Sequence, residues 1–449
     1  MVQALKLSEL IGALSYALDI TEGQPEGHCI RCCWIGMHVG EKLGMPSKQL
    51  WELYYTLLLK DLGCSSNASR ICELYLTDDL SFKRDFKWVD GSLPQVLRFV
   101  LRHTGQSAGL IGRLKSLGGI LTNGEDIVQE LIQTRCTRGA DIARQLRFSE
   151  GVAQGIHSLD EHFNGQGHPE ALQGSNISLY SRIALFAQVL DVVNGAEGQA
   201  AALAEIKKRR GTWFDPDVID AFMVVAQSAD FWAILNSPQV EAHVFALEPG
   251  GHEVLLDEDY FDDIAEAFGQ VVDAKSPYTA GHSARVGLYT SMLAESMEIP
   301  ESRRRWLKRG ALLHDVGKLG VSNSILDKPG KLDAAEWAAV QRHAAYTEAI
   351  LGRISQFDEL ARVSGAHHER LDGGGYPRGI KAADIAIETR IITTADIFDA
   401  ITAERPYRGA VPVDKTLAIM AETVGSAIDE NCFAHLKMII QNHPEFFPS

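Results

Sequence analysis

No stretch of this 449-residue chain approaches the roughly 18 uninterrupted apolar residues that a membrane-spanning helix needs, so neither a spanning role nor a membrane partner is expected. The first residues lack a basic leader and a small-residue cleavage site, and Glu9 and Asp19 interrupt their apolar positions. They read as an amphipathic helix of a cytoplasmic protein. Positive charge is scarce: 43 Lys and Arg face 59 Asp and Glu, a formal net charge of -16, and no basic patch stands out. Such a field repels long polyanions, so no duplex nucleic acid partner is expected. A small anionic substrate is compatible with it, because metal ions in a site can outweigh the surrounding field. Cysteine is sparse and odd in number, seven in all, which points to reduced thiols rather than a disulfide framework. Cys29, Cys32 and Cys33 form a CxxCC cluster, but no second pair follows at zinc-finger spacing. They are expected to be small buried side chains on a helix.

Against these shortages, hydrophobic residues make up 45% of the chain and charged residues 23%, and the mean hydropathy is -0.07. That is a globular composition, and the length suggests two or three domains. Apolar residues recur at helical spacing, for example Ile264, Phe268 and Val271, then Val286, Tyr289 and Leu293. The fold is expected to be all-α. One exception is HVFALEPGGHEVLL at 243–256, where two short apolar runs flank a Pro-Gly-Gly turn and suggest a small β-hairpin inside a linker at 236–255.

The chain also repeats itself. GHCIR at 27–31 returns as GHSAR at 281–285, and LLLKDLGC at 57–64 as ALLHDVGK at 311–318, both 254 residues later. LDEHFNGQGHPEALQG at 159–174 matches HHERLDGGGYPRGIKA at 367–382, and SRIALFAQ at 181–188 matches TRIITTAD at 389–396, both at an offset of 208. The difference of 46 residues implies an insertion in the first copy between Cys64 and about Arg135. GTWFDPDV and GSAIDENC extend the match. The expected organisation is two tandem copies of one helical domain, residues 1–235 and 256–449, joined by the 236–255 linker.

The second copy carries His282, His314 with Asp315, His343, His367 with His368, and Asp396 in spaced series. A lone histidine is usually a satisfied core or surface residue, but this set of imidazoles and carboxylates suits transition metals, and an aspartate able to bridge suits two of them. Lys318 follows His314 by one helical turn, and the run Gly373, Gly374, Gly375 allows close backbone approach to a ligand.

These motifs carry a family resemblance. ALLHDVGK resembles the His-Asp doublet of HD phosphohydrolases, HHERLDGGGYP resembles the extended signature of the HD-GYP family, and ADIFDAITAERPYR is similar to that family's continuation. The resemblance spans roughly residues 256–430. It implies an α-helical, HD-type catalytic domain that hydrolyses a phosphodiester of cyclic di-GMP or cyclic GMP-AMP through a hydroxide held between metal ions. The product would be a linear dinucleotide, with further cleavage to mononucleotides left open. By position, His282, His314, Asp315, His343, His367, His368 and Asp396 would be the ligands of two divalent ions, iron or manganese, with Asp315 the bridge and catalytic centre. Lys318 would stabilise charge on the phosphate, and Gly375, Tyr376, Pro377, Arg405 and Arg408 would contact substrate. Members with a third ion carry a Glu where this chain has Tyr278, so a third ion is not expected. Two other readings remain: a broader nucleotide or phosphomonoester HD phosphohydrolase, and a non-catalytic cyclic dinucleotide-binding scaffold.

Carried back by the two offsets, the ligand positions in the first copy keep only His28 and Asp61. His314 becomes Lys60, His343 Arg135, His367 and His368 Leu159 and Asp160, Asp396 Gln188, Lys318 Cys64 and Tyr376 His168. Two surviving donors cannot hold a dinuclear site, and Lys60 brings a cation where a metal would sit. The first copy is expected to be a catalytically dead regulatory or docking domain, and its duplication offers a route to a homodimer.

Overall fold

The computed structural model describes residues 5–89, 93–106, 109–250, 254, 256–404 and 408–448. The chain divides into two compact units, Met1–Leu256 and Asp257–Ser449. Among the described residues there is no strand, only isolated bridges such as Arg210 with Phe214 and Val424 with Ile428. No single described helix is long and apolar enough to cross a membrane.

The expected hairpin is not there. Val240–Ala246 is a helix, and it packs on His28–Lys42 and Leu7–Thr21 of the first unit. Val240 and Val244, four residues apart, bury on one face, a helical spacing that the following Pro-Gly-Gly obscured in the sequence. Beyond it, Glu248 accepts hydrogen bonds from Tyr55 (2.5 Å) and Ser8 (2.6 Å), so this stretch is tied into the first unit. Residues 251–253 and 255, where the second strand was expected, lie outside the described residues.

Within each unit the same core recurs. His28–Lys42 and His282–Ser296 both follow a left-handed glycine, Gly27 (φ 81°) and Gly281 (φ 68°), where a side chain would strain the backbone. Ser47–Leu59 and Glu301–Leu313 come next, 254 residues apart end for end. The turn after each is held by a close approach. A Cβ on Gly63 would meet the Arg135 carbonyl oxygen at 1.9 Å, and one on Gly317 the His343 oxygen at 2.0 Å. Only glycine fits, so the turn lies directly against the helix behind it.

The extra residues of the first unit form Ala68–Tyr75, Asp79–Phe86, Leu93–His103 and the start of Leu110–Gln145, which is interrupted at Asn123 (φ -124°, ψ 23°). Its later part corresponds to Ala334–Leu351 of the second unit. The insertion has its own apolar cluster, with Ile71, Tyr75, Phe82, Phe99, Val100 and Ile120.

Candidate metal centre

In the second unit, His282 opens its helix, His314 and Asp315 end Glu301–Leu313, and His343 lies in Ala334–Leu351. His367 and His368 follow Asp358–Gly365, and Asp396 lies in Ile387–Thr402. All seven converge. Their donor atoms form three overlapping groups: His282, His314 and Asp315; His314, His367 and Asp396; His343, His367 and His368. Within each group the atoms lie within 4.8 Å of one another.

Three of the imidazoles are held to backbone carbonyls by their outer nitrogen. Nδ1 of His314 donates to the Ala311 carbonyl (2.6 Å), that of His343 to Val340 (2.5 Å) and that of His367 to Ser364 (2.6 Å). A carbonyl can only accept, so in the neutral rings Nδ1 carries the proton and Nε2 turns a lone pair inward. The backbone is fixed as well: Thr347 Oγ1 donates to the His314 carbonyl (2.8 Å) and Thr393 Oγ1 to that of His367 (2.7 Å).

Asp315 divides its carboxylate between two pairs of imidazoles. Oδ2 lies 3.3 Å from Nε2 of both His282 and His314, while Oδ1 lies 3.5 Å from His343 Nε2 and 3.6 Å from His367 Nε2. Asp396 Oδ1 closes the first side, 3.4 Å from His282 and 3.7 Å from His314.

The residues fit metal ions better than they fit one another. His282 Nε2, His314 Nε2 and Asp315 Oδ1 are buried without a hydrogen-bond partner, a costly state unless something else occupies them. His343 and His367 face each other Nε2 to Nε2 at 3.3 Å. Burial holds His343 near pH 4 and His367 well below its usual range, so both are neutral at pH 7 and their lone pairs repel unless a cation lies between them. Burial, then His343, lowers His368 to about 3. His282 and His314 behave oppositely. Burial pulls them down, but Asp315 and Asp396 overrule it, raising His282 well above its usual value and His314 to about 9. The two carboxylates are held well below their usual range by these imidazoles, and the cationic rings of His282 and His314 answer their charge.

Lys318 Nζ pairs with Asp315 Oδ2, so the expected cation does reach the centre. Gly375 lies where a Cβ would meet the Arg370 nitrogen and the His368 oxygen at 2.4 and 2.5 Å. Tyr376, joined to Pro377 by a cis bond, packs its ring on His368 with centroids 4.8 Å apart. Arg408 was expected at substrate, yet its Nη2 caps the helix that carries Asp396, donating to the Ala400 and Ile401 carbonyls (2.9 Å each). Arg405 lies outside the described residues. Tyr278, on the turn Pro277–Thr279, lines a cavity of about 530 Å³ together with Arg285, Thr402 and Glu404.

Asp399 escaped the reading of the sequence. Buried, it accepts from His282 Nδ1 (2.7 Å) and from Arg285 Nε (2.6 Å) and Nη2 (3.0 Å), orienting the first histidine as a carboxylate commonly orients a metal-binding imidazole. The repeat held the signal. In the first unit Asp191 accepts from His28 Nδ1 (2.7 Å) and from Arg31 Nε (2.7 Å) and Nη2 (3.1 Å), at the matching positions.

The rest of the first unit's centre is filled with its own ion pairs. Lys60, buried, pairs with Asp61 and lies 3.3 Å from Gln188 Oε1. Lys87 lies 3.0 Å from Glu22 and 3.3 Å from Gln188, and Arg135 pairs with Asp160. Burial alone would raise Glu22 and Asp61, but lysines hold both below their usual range. Cys29, Cys32 and Cys33 are buried in the helix, as expected.

Comparison with known proteins agrees with this geometry. The HD domain family matches twice, over residues 106–218 and 266–432. A 3'3'-cGAMP-specific phosphodiesterase of Vibrio cholerae is 57% identical over 439 residues, covering 98% of this chain and 95% of that one. A cyclic di-GMP phosphodiesterase of Thermotoga maritima is 35% identical over 38% of this chain and 48% of its own length. A crystal structure of a cyclic GMP-AMP specific phosphodiesterase of V. cholerae superposes with a TM-score of 0.68 at 52% identity, covering 98% of this chain and 99% of that one. With the same domain matched in both halves and a relative matched along nearly its full length, the chain belongs to the HD-GYP family of phosphodiesterases.

Proposed function

We propose that the second unit hydrolyses a phosphodiester of a cyclic dinucleotide, cyclic GMP-AMP in preference to cyclic di-GMP, using two divalent transition-metal ions, iron or manganese. The observation that carries the reading is Asp315, whose two oxygens face separate imidazole pairs as a bridging carboxylate would. His282, His314 and Asp396 would hold one ion with it, and His343, His367 and His368 the other. When bound, such ions lower the pKa of a water and polarise phosphoryl oxygens. The chain's own part is orientation and charge. The Nδ1 hydrogen bonds orient the rings of His282, His314, His343 and His367, and Lys318 supplies a cation for charge that develops on the phosphate. Gly375, Tyr376 and Pro377 form the wall beside His368, Arg405 contacts a phosphate, and Arg408, anchored through Nη2, keeps Nη1 for the same purpose. Two V. cholerae relatives named as 3'3'-cGAMP-specific phosphodiesterases, one of them 57% identical to this chain, favour cyclic GMP-AMP. The first unit, with cations of its own in place of metals, is a regulatory or docking domain.

The test is metal-depleted full-length protein reconstituted with Mn²⁺ or Fe²⁺ and given cyclic GMP-AMP, cyclic di-GMP and a phosphomonoester. Metal-dependent opening of cyclic GMP-AMP, lost in Asp315→Ala, is the expected result. Bound metal without turnover of any cyclic dinucleotide would overturn the reading.

A further inference from the structure

The insertion of the first unit is chemically unlike the rest of the chain. From residue 91 to residue 124 there is no Asp or Glu, while Arg98, Arg102, Arg113 and Lys115 all fall there, in a chain whose net charge is -16. The same segment leaves apolar side chains in the open. Among the described residues, seven of the sixteen large exposed hydrophobics lie between Val96 and Leu121. Leu97 and Leu101 are 46% and 45% exposed, and Leu110, Ile111, Leu114 and Leu121 reach 76%, 85%, 63% and 64%.

These residues are arranged in two helices. On Leu93–His103, Phe99, Val100 and His103 turn inward, and Leu97 and Leu101, four apart, lie outside beside Arg98 and Arg102. On the next helix, Leu110, Leu114 and Leu121 share one outer stripe by their spacing, with Arg113 and Lys115 on either side of it. Arg113 Nη2 donates to the Leu101 carbonyl (2.8 Å), which joins the two helices at this point and brings their outer residues together. A clustered apolar surface of this kind marks a docking site rather than ordinary scatter.

Charge selects the occupant. A second copy seated on this face across a two-fold axis would set four cations against four cations. An acidic partner would neutralise them, yet leucines and isoleucines that project this far need an apolar medium to enter, not only a counter-charge. A bilayer with anionic headgroups offers both and accepts protruding side chains of any shape. We propose that Leu93–His103 and the first turns of Leu110–Gln145 dock the protein peripherally on an anionic lipid surface, with Leu110, Ile111 and Leu114 entering the headgroup boundary and Arg98, Arg102 and Lys115 meeting the headgroups. Because the remainder of the chain is acidic and repelled by such a surface, this patch also sets the orientation in which it docks.

The experiment is co-sedimentation of the full-length protein with vesicles of phosphatidylcholine alone and of phosphatidylcholine with phosphatidylglycerol. Association with the anionic vesicles only is expected, weakened by salt. Ile111→Ser with Leu114→Ser should abolish it, and Arg102→Gln or Lys115→Gln should each lower it roughly five-fold. These side chains are exposed, so the melting temperature and the turnover in solution should stay as in the parent. Failure to pellet with anionic vesicles, or equal pelleting with both kinds, overturns the proposal. A dimer in sedimentation equilibrium that the Ile111→Ser, Leu114→Ser pair dissociates would assign the face to a second copy and overturn it equally.

Discussion

Replacing Asp399 by asparagine tests whether the metal centre depends on a residue that holds no metal. The buried carboxylate takes the Nδ1 proton of His282 on one oxygen and two Arg285 nitrogens across both. Burial alone would raise its pKa, but His282 and Arg285 hold it below the usual carboxylate range, so it is ionised at neutral pH. An asparagine side chain would keep the shape but lose the charge and one acceptor. Its amide N–H would then oppose either the His282 proton or the Arg285 donors, so the imidazole would lose either its orientation or the negative charge that raises its basicity. Loss of such a supporting group lowers metal affinity by about 10- to 100-fold, or about 1.4 to 2.8 kcal/mol. Mn²⁺ affinity measured by calorimetry or chelator competition should fall by that amount in Asp399→Asn. In Asp191→Asn, the same change at the matching position of the first unit, it should not move. An Asp399→Asn protein that binds Mn²⁺ within about two-fold of the parent, or an equal loss in Asp191→Asn, would refute the reasoning.

Two further predictions concern the first unit. Lys60→Met leaves the buried Asp61 carboxylate without its nearest cation and should cost about 3 kcal/mol or more, seen as a lower melting temperature; adding Asp61→Leu should return most of it, since an apolar pair avoids the desolvation. Burial also holds His28 at about 4, below the value of about 6.5 for a free histidine, so the fold prefers the neutral ring. The stability this contributes is complete above about pH 6.5 and is lost as pH falls toward 4, up to about 3 kcal/mol, and the difference in melting temperature between the parent and His28→Gln should follow that window.

The repeat made much of the fold legible. Helices starting at His28 and His282 or ending at Leu59 and Leu313 agree because the two copies share one helical period and the same glycine turns. The insertion was legible as a change of offset, although nothing in that arithmetic says it has its own apolar cluster. The hairpin failed for a local reason: a short apolar run before Pro-Gly-Gly fits either period, and contacts with Leu7–Thr21 and His28–Lys42 decided for a helix. The candidate donors were readable because a metal centre needs particular residue types. Asp399 and Arg285 were not read, because a supporting carboxylate on a helix has no distinctive type or spacing in a single copy.

By itself, the sequence determined which residue types were available to the centre and that the first copy had lost most of them. Helical period, glycine turns and donor chemistry are local properties that a linear pattern can carry. Only the tertiary structure decided that Asp315 faces two pairs of imidazoles, that His343 and His367 turn lone pairs toward each other, and that Lys60, Lys87 and Arg135 occupy the old centre as partners of Asp61, Glu22 and Asp160. Those facts depend on distances between groups that lie far apart along the chain. Electrostatics and desolvation act through such distances, and sequence separation does not record them.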